Sequence, residues 1–228
     1  MSRTPMARSL RLLAYLLSYP DAAFRRNLPE LAQALAADRE IAPRRRAELL
    51  DLVASLASSD ALDVETSYVE LFDRGRATSL HLFEHVHGDS RDRGPALIDL
   101  GQTYAKAGLH LVPHELPDYL PAVLEFVSTQ PRREARAFLS EMAHILNALY
   151  SALVERRSAY ASVLGALLEL AGERAARIAP APPEEPLDAT WSEPPAFAGC
   201  SAEGQARPSE PQPIHFIRRR ADSQGAAL

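Results

Sequence analysis

Leucine and its apolar neighbours return every third or fourth residue along most of this chain. That spacing puts side chains on one face of an α-helix. Leu10, Leu13 and Leu17 form a first face, with Ala14 and Leu16 beside it. Pro20 and Asp21 mark a turn, and Leu28, Leu31 and Leu35 form a second face. Leu49, Leu52, Val53 and Leu56 form a third, and Pro43 suits the first turn of that helix. Val64, Tyr68, Leu71 and Phe72 make a fourth, and Leu80, Phe83 and Val86 a fifth. Leu97, Leu100 and Tyr104 make a sixth, which Gly108 closes. Asp118 is placed to cap a seventh helix, Tyr119 to Ser128, with Pro121 in its first turn. Phe138, Met142, Ile145, Leu149 and Val154 share one long eighth helix. Val163, Leu167 and Leu170 end the set, with Gly172 as a stop. No alternating strand pattern interrupts the series. The pattern predicts an all-α protein, a single-domain bundle of about eight or nine helices over residues 5–172.

The pattern stops near Leu170, and composition changes with it. Half of the 18 prolines lie in 180–213, among Glu, Ser, Ala and Gly. Such a segment buries too little apolar surface to offset its chain entropy, so residues 173–228 are expected to form a Pro-rich, disordered or extended tail. Two apolar islands break it, Trp191 to Phe197 and Ile214 to Arg220.

Composition narrows the function classes. The chain has 228 residues, 46% hydrophobic and 24% charged, as in an ordinary globular domain. Its net charge of −5 argues against a nucleic-acid binder and tolerates a cationic partner. The single cysteine, Cys200, excludes an intrachain disulfide and falls in the tail, away from any catalytic constellation. The run LRLLAYLLSYP is broken by Arg11, Tyr15 and Pro20, so it reads as a core helix, not a signal peptide. No stretch approaches the roughly 20 apolar residues of a membrane span. A cytoplasmic protein is the economical expectation. There is no Walker-type glycine loop and no Ser-His-Asp order.

Three segments stand out. His87 to Gly94 reads HGDSRDRG: His87-Gly88 suits the end of one helix, and Asp89 or Ser90 the cap of the next. Pro95 favours a later start, at Gly94 or Pro95. Arg91 and Arg93 then project from different sides of the first turn. HLFEH, His81 to His85, is a His-x-x-Glu-His pattern. On a helix it would bring His81 and His85 to one metal with Glu84 as general base, the basis of an alternative reading as a metal-dependent hydrolase. No third ligand is marked, and Leu80, Phe83 and Val86 read as core on the same helix. In ELPDYLPAVLEF, Glu115, Asp118 and Glu125 surround Tyr119, Leu120, Leu124 and Phe126, a composition suited to an amphipathic helix carrying Arg or Lys.

Taken together, YVELFD, SLHLFEHVHGDSRDRG, the spaced Leu, Tyr and AGL, and ELPDYLPAVLEF closely resemble the NarJ-type assembly chaperones of respiratory nitrate reductase. These belong to a wider, TorD-like group of helical chaperones for molybdenum enzymes. The resemblance is densest over Tyr68 to Phe126 and extends over Leu10 to Ala171; WSEPPAF and QPIHFI in the tail also match. It implies a non-enzymatic chaperone without a cofactor of its own. Its partner would be the catalytic (alpha) subunit of nitrate reductase, bound at least through an N-terminal segment and held competent for molybdenum cofactor insertion. It would not join the finished membrane complex.

The expected groove is lined by Tyr68, Phe72, Tyr104, Tyr119, Leu120 and Leu124. Its expected rim carries Asp73, His87, Asp89, Arg91, Arg93, Glu115 and Asp118. His81, His85 and His87 lie close to Glu84 and Asp89, so protonation there would weaken a cationic peptide's binding as pH falls. Truncation after Ala179 should leave the helical body folded, with its melting temperature little changed. Burying one large apolar side chain is worth roughly 1.5–3 kcal/mol. A large fall in melting temperature would therefore show that Trp191, Phe197, Ile214 and Phe216 cover the body instead.

Overall fold

Ten α-helices and one isolated β-bridge make up residues 5–88, 90–112 and 115–177, the part of the chain that the computed structural model describes. The tail beyond Arg177, with Cys200, and Asp89 lie outside the described residues. In chain order the helices are α1 (Pro5–Leu16), α2 (Ala22–Ala36), α3 (Pro43–Ser58), α4 (Ala61–Phe72), α5 (Leu82–Val86), α6 (Arg93–Lys106), α7 (Leu120–Thr129), α8 (Arg132–Glu141), α9 (Ala143–Glu155) and α10 (Ala161–Ala171). One 3-10 turn, Arg76–Thr78, joins α4 to the segment before α5. No single helix among these is long and apolar enough to cross a membrane.

The core forms around α10 and α1. α10 is apolar on nearly every side, burying Val163, Leu164, Leu167 and Leu168 against α9, α8, α3 and α1. α1 packs along α7, where Leu10, Leu13 and Leu17 meet a face that includes Leu120, Leu124 and Val127, each fully buried. α2 and α3 pair against each other. Asp21 caps α2 by accepting from the Phe24 N–H at 2.7 Å, and Asp60 caps α4 from the Leu62 N–H at 2.9 Å. α10 ends at Gly172 with φ +88°, a left-handed stop that glycine takes without strain, beside the Arg136 guanidinium.

Two elements depart from the sequence pattern. The expected long eighth helix is two, α8 and α9, bent by 63° at Met142. The apolar spacing Leu139, Met142, Ile145/Leu146, Leu149 runs through the bend without a break, so periodicity could not reveal it. The fifth helix shrinks to five residues because Leu80 and His81 run extended beside Pro117–Leu120. There the Leu120 N–H donates to the Leu80 carbonyl at 2.9 Å, and the Leu82 N–H to the Asp118 carbonyl at 3.0 Å.

A buried carboxylate ties the start of the bundle. Asp38, between α2 and α3, accepts from the Ser9 hydroxyl of α1 at 2.7 Å and from the Glu40 and Ile41 N–H groups, both at 2.9 Å. Ser9 and Asp38 are both buried. Asp38→Ala would strand two backbone donors and leave the Ser9 hydroxyl only the Pro5 carbonyl at 3.3 Å. We expect a loss of about 1–3 kcal/mol, read as a lower urea midpoint at unchanged slope.

Candidate functional site

The two motif segments that stand 30 residues and more apart in sequence meet at one place. HLFEH and PDYL run side by side across the His81–Tyr119 bridge, and Asp118 lies beneath them with no solvent exposure. One Asp118 oxygen faces His81 Nδ1 at 3.3 Å. The other accepts from the Phe83 N–H at 3.2 Å and lies 3.8 Å from Arg93 Nη2. Asp118 therefore caps α5 across the bridge, not α7 as the sequence suggested; the residue preceding α7 is Tyr119, which makes no side-chain cap. A carboxylate so deep is stable only when several donors reach it.

Above this layer lies a groove of about 480 Å³. Its apolar surface comes from Tyr68 and Phe72 of α4, Leu80, and Tyr119; Tyr19 and Leu116 stand at its mouth, 44% and 40% exposed. Asp73, His81 and Glu115 supply its polar edge. The aromatic wall continues inward: Tyr68 lies 4.8 Å from Phe72 between ring centroids, and Phe72 lies 5.1 Å edge-on to Tyr160. Tyr68 donates to the Leu17 carbonyl at 2.8 Å, and its oxygen sits 3.0 Å from the Tyr119 hydroxyl. One backbone carbonyl of the turn after α1 thus anchors the two rings that form the groove's floor.

Burial and hydrogen bonding set the protonation of the groups around the groove. Burial pushes the Tyr68, Tyr119 and Tyr160 phenols up, so they stay neutral donors. Burial, with Glu125 nearby, raises the Glu115 carboxyl. The Asp118 hydrogen bond raises His81 against the opposing effect of burial, and Arg93 also opposes it. Glu84 feels burial most, but hydrogen bonds from Ser79 and Arg93 bring it below the ordinary carboxylate range.

The hydrolase geometry does not form. His81 precedes α5 and turns to Asp118, while His85 Nε2 lies 2.8 Å from the Ser79 carbonyl. The two rings do not share a helix face, because the Tyr119 pairing holds His81 in extended backbone. Among the described residues no group of three or more His, Cys, Asp or Glu is placed to hold a metal ion.

Of the residues expected at the groove, Tyr68, Phe72, Asp73, Glu115 and Tyr119 come together there. Leu120 and Leu124 are fully buried on the α1 side, and Tyr104 is 2% exposed. These three pack in the core. Asp118 lies under the groove, where it holds His81. Arg93 pairs with Glu84 at 3.2 Å. His87 turns edge-on to Phe83, and Arg91 is exposed in the turn before α6. Gly88, at φ +53°, ends the α5 turn as the motif suggested. Asp89 lies outside the described residues. Sequence reasoning did not place Tyr19, Leu80 or Leu116 here; Tyr19 fell at the end of the first core-helix run, and Leu80 read only as helix.

The profile of the family described as nitrate reductase delta subunit matches residues 19–165. The chain is 43% identical over 194 residues to the nitrate reductase molybdenum cofactor assembly chaperone NarJ of Escherichia coli K12, covering 81% of this chain and 82% of that one. It is 42% identical to a second chaperone of that strain, NarW, over 72% of this chain and 68% of that one. The NarJ of Bacillus subtilis is 33% identical over 74% and 90% of the two chains. A crystal structure of a redox enzyme maturation protein from Archaeoglobus fulgidus superposes with a TM-score of 0.53 at 20% identity, over 76% of this chain and 98% of that one, a likeness of fold.

His81 gives this site a pH signature. Its raised pKa means that the His81–Asp118 pair stabilises the fold fully below about pH 6.5, the free value. That contribution is lost as pH rises through the folded value. The melting-temperature gap between the wild type and His81→Asn should be widest near pH 6 and close towards pH 8. A gap that widens with pH would contradict the pairing.

Proposed function

The chain belongs to the nitrate reductase delta subunit family, and from that premise we propose that it is a non-enzymatic assembly chaperone for respiratory nitrate reductase. It acts in the cytoplasm, binds the catalytic subunit through that subunit's N-terminal segment, and keeps it competent for molybdenum cofactor insertion. It then leaves, and is absent from the finished enzyme. The observation that carries this reading is the groove: an aromatic floor of Tyr68, Phe72 and Tyr119 edged by Asp73 and Glu115.

Such a groove suits an amphipathic peptide. Its apolar residues would cover the phenyl and phenol faces, and a basic residue would meet the acidic edge. Tyr19 and Leu116 at the mouth offer apolar surface that is partly exposed among the described residues. Binding energy comes from removing that surface from water, and the acids steer the orientation. The phenols stay neutral donors, and His81 at the edge is held by Asp118. The chemistry is that of a holder.

Calorimetric titration of the N-terminal peptide of the cognate catalytic subunit tests the reading. Asp73→Lys, at an exposed rim position, should weaken binding about five- to tenfold and flatten its salt dependence. Protonation of His81 adds positive charge beside the peptide, so affinity should also fall as pH drops from about 8 to 6, around the histidine reference value. Absence of binding at high micromolar concentration across that range would sink the peptide-groove reading.

A further inference from the structure

α6 is the most shallowly seated of the longer helices. Of its 14 residues only Tyr104 is buried, whereas α7 buries seven of ten and α10 eight of eleven. No other helix packs along it as α7 packs along α1. Ile98, on its outer face, is 62% exposed. The helix is also weakened from within. A β-carbon added at Gly94 or Gly101 would meet nothing within 4 Å, so packing does not require glycine at either place. Glycine inside a helix lowers its helical population about four- to fivefold relative to alanine.

Two anchors hold α6. At its start, Arg93 Nη2 reaches Glu84 at 3.2 Å and Asp118 at 3.8 Å, while its buried Nε finds no acceptor among the described residues. Near its end, the Tyr104 ring lies 4.8 Å from Phe126 between centroids, and its hydroxyl donates to the Pro117 carbonyl at 2.8 Å. Both anchors end on the segment that builds the groove. Beside Tyr104 there is already a cavity of about 150 Å³, walled by Leu109, Pro121, Phe126 and Glu115. Glu115 is also a wall of the groove.

We infer that α6 is a displaceable strap over a second, covered part of the docking surface, and that Tyr104 fills in the free chain a seat meant for the partner. When α6 lifts, the seat on Phe126 and Pro121 becomes continuous with the groove past Glu115. The surface then fits an apolar helix bearing one aromatic residue with a polar edge. The ring would take the place of Tyr104 against Phe126, and its donor would reach the Pro117 carbonyl. Elements that open for a partner are drawn from the low-stability end of a fold, and α6 has the features of that end. The inference rests on the groove being the peptide site.

Hydrogen exchange of the full-length protein tests the strap without a partner. Amides of residues 97–106 should exchange at least tenfold faster than those of residues 123–129 in α7; equal protection would overturn the inference. Titration with the N-terminal peptide of the catalytic subunit then tests the competition. Gly101→Ala should slow exchange in α6 and weaken peptide binding, each about four- to fivefold. Tyr104→Ala should tighten binding if Tyr104 competes for the seat, and would weaken it if Tyr104 were a wall of the site. Gly101→Ala remains decisive should Tyr104→Ala fold poorly: slower exchange with unchanged affinity would overturn the strap. If the wild type binds no peptide at all, the groove reading falls, and the exchange comparison alone decides whether α6 opens.

Discussion

A single buried charge organises the site. Asp118 has no contact with water, so its carboxylate is tolerable only because His81, the Phe83 N–H and Arg93 converge on it. Each of those donors belongs to a different piece of chain: the extended segment after the 3-10 turn, the first turn of α5, and the start of α6. Satisfying one carboxylate thus fixes where three short, individually unstable pieces lie. A five-residue helix such as α5 has no intrinsic stability. It exists because the Phe83 N–H is capped from across the bridge. Removing the charge would leave a polar cluster without a centre, and the rim of the groove would lose its His81.

The second constraint is the pair of phenols above that charge. Tyr68 and Tyr119 come from α4 and from the residue that precedes α7, and both hydroxyls address the Leu17 carbonyl, at 2.8 and 3.3 Å. That carbonyl lies in the turn that ends α1, the helix most firmly packed on α7. The groove floor is therefore referenced to the rigid core, not to the loops around it. For the proposed peptide, such a floor would hold its aromatic faces in place before binding, which reduces the ordering that binding requires.

The helices were legible because each buries one face, and burial sets the apolar spacing. Leu10, Leu28, Leu49 and Val163 needed no tertiary information to be assigned to the core. What spacing cannot say is which partner a face meets. Leu120 and Leu124 share an apolar face with the same signature whether it meets α1 or an incoming peptide, and here it meets α1. Asp118 before a helix has the local pattern of an N-cap, and only the distant Phe83 N–H reveals that it caps something else. HLFEH failed as a histidine pair on one helix for the same reason, since the pairing that holds His81 extended, outside α5, comes from Tyr119, 38 residues away in the sequence. Composition and motif density found the neighbourhood. Non-local hydrogen bonds decided the roles within it.

The arrangement also sorts the molecule by how well each part resists opening. α1, α7 and α10 carry many of the fully buried leucines, and their disruption would unfold the bundle. The acidic, phenolic groove sits on their edge, so its floor inherits that rigidity. The elements that border it, α5 and the start of α6, bury few side chains of their own and are held by a handful of polar contacts, those to Asp118 and the Arg93–Glu84 pair among them. A protein that must hold another chain for a limited time and then release it gains from this division. In the proposed role the floor would supply recognition, and only the border would have to move for a helix to enter or leave, with the core that defines the fold undisturbed.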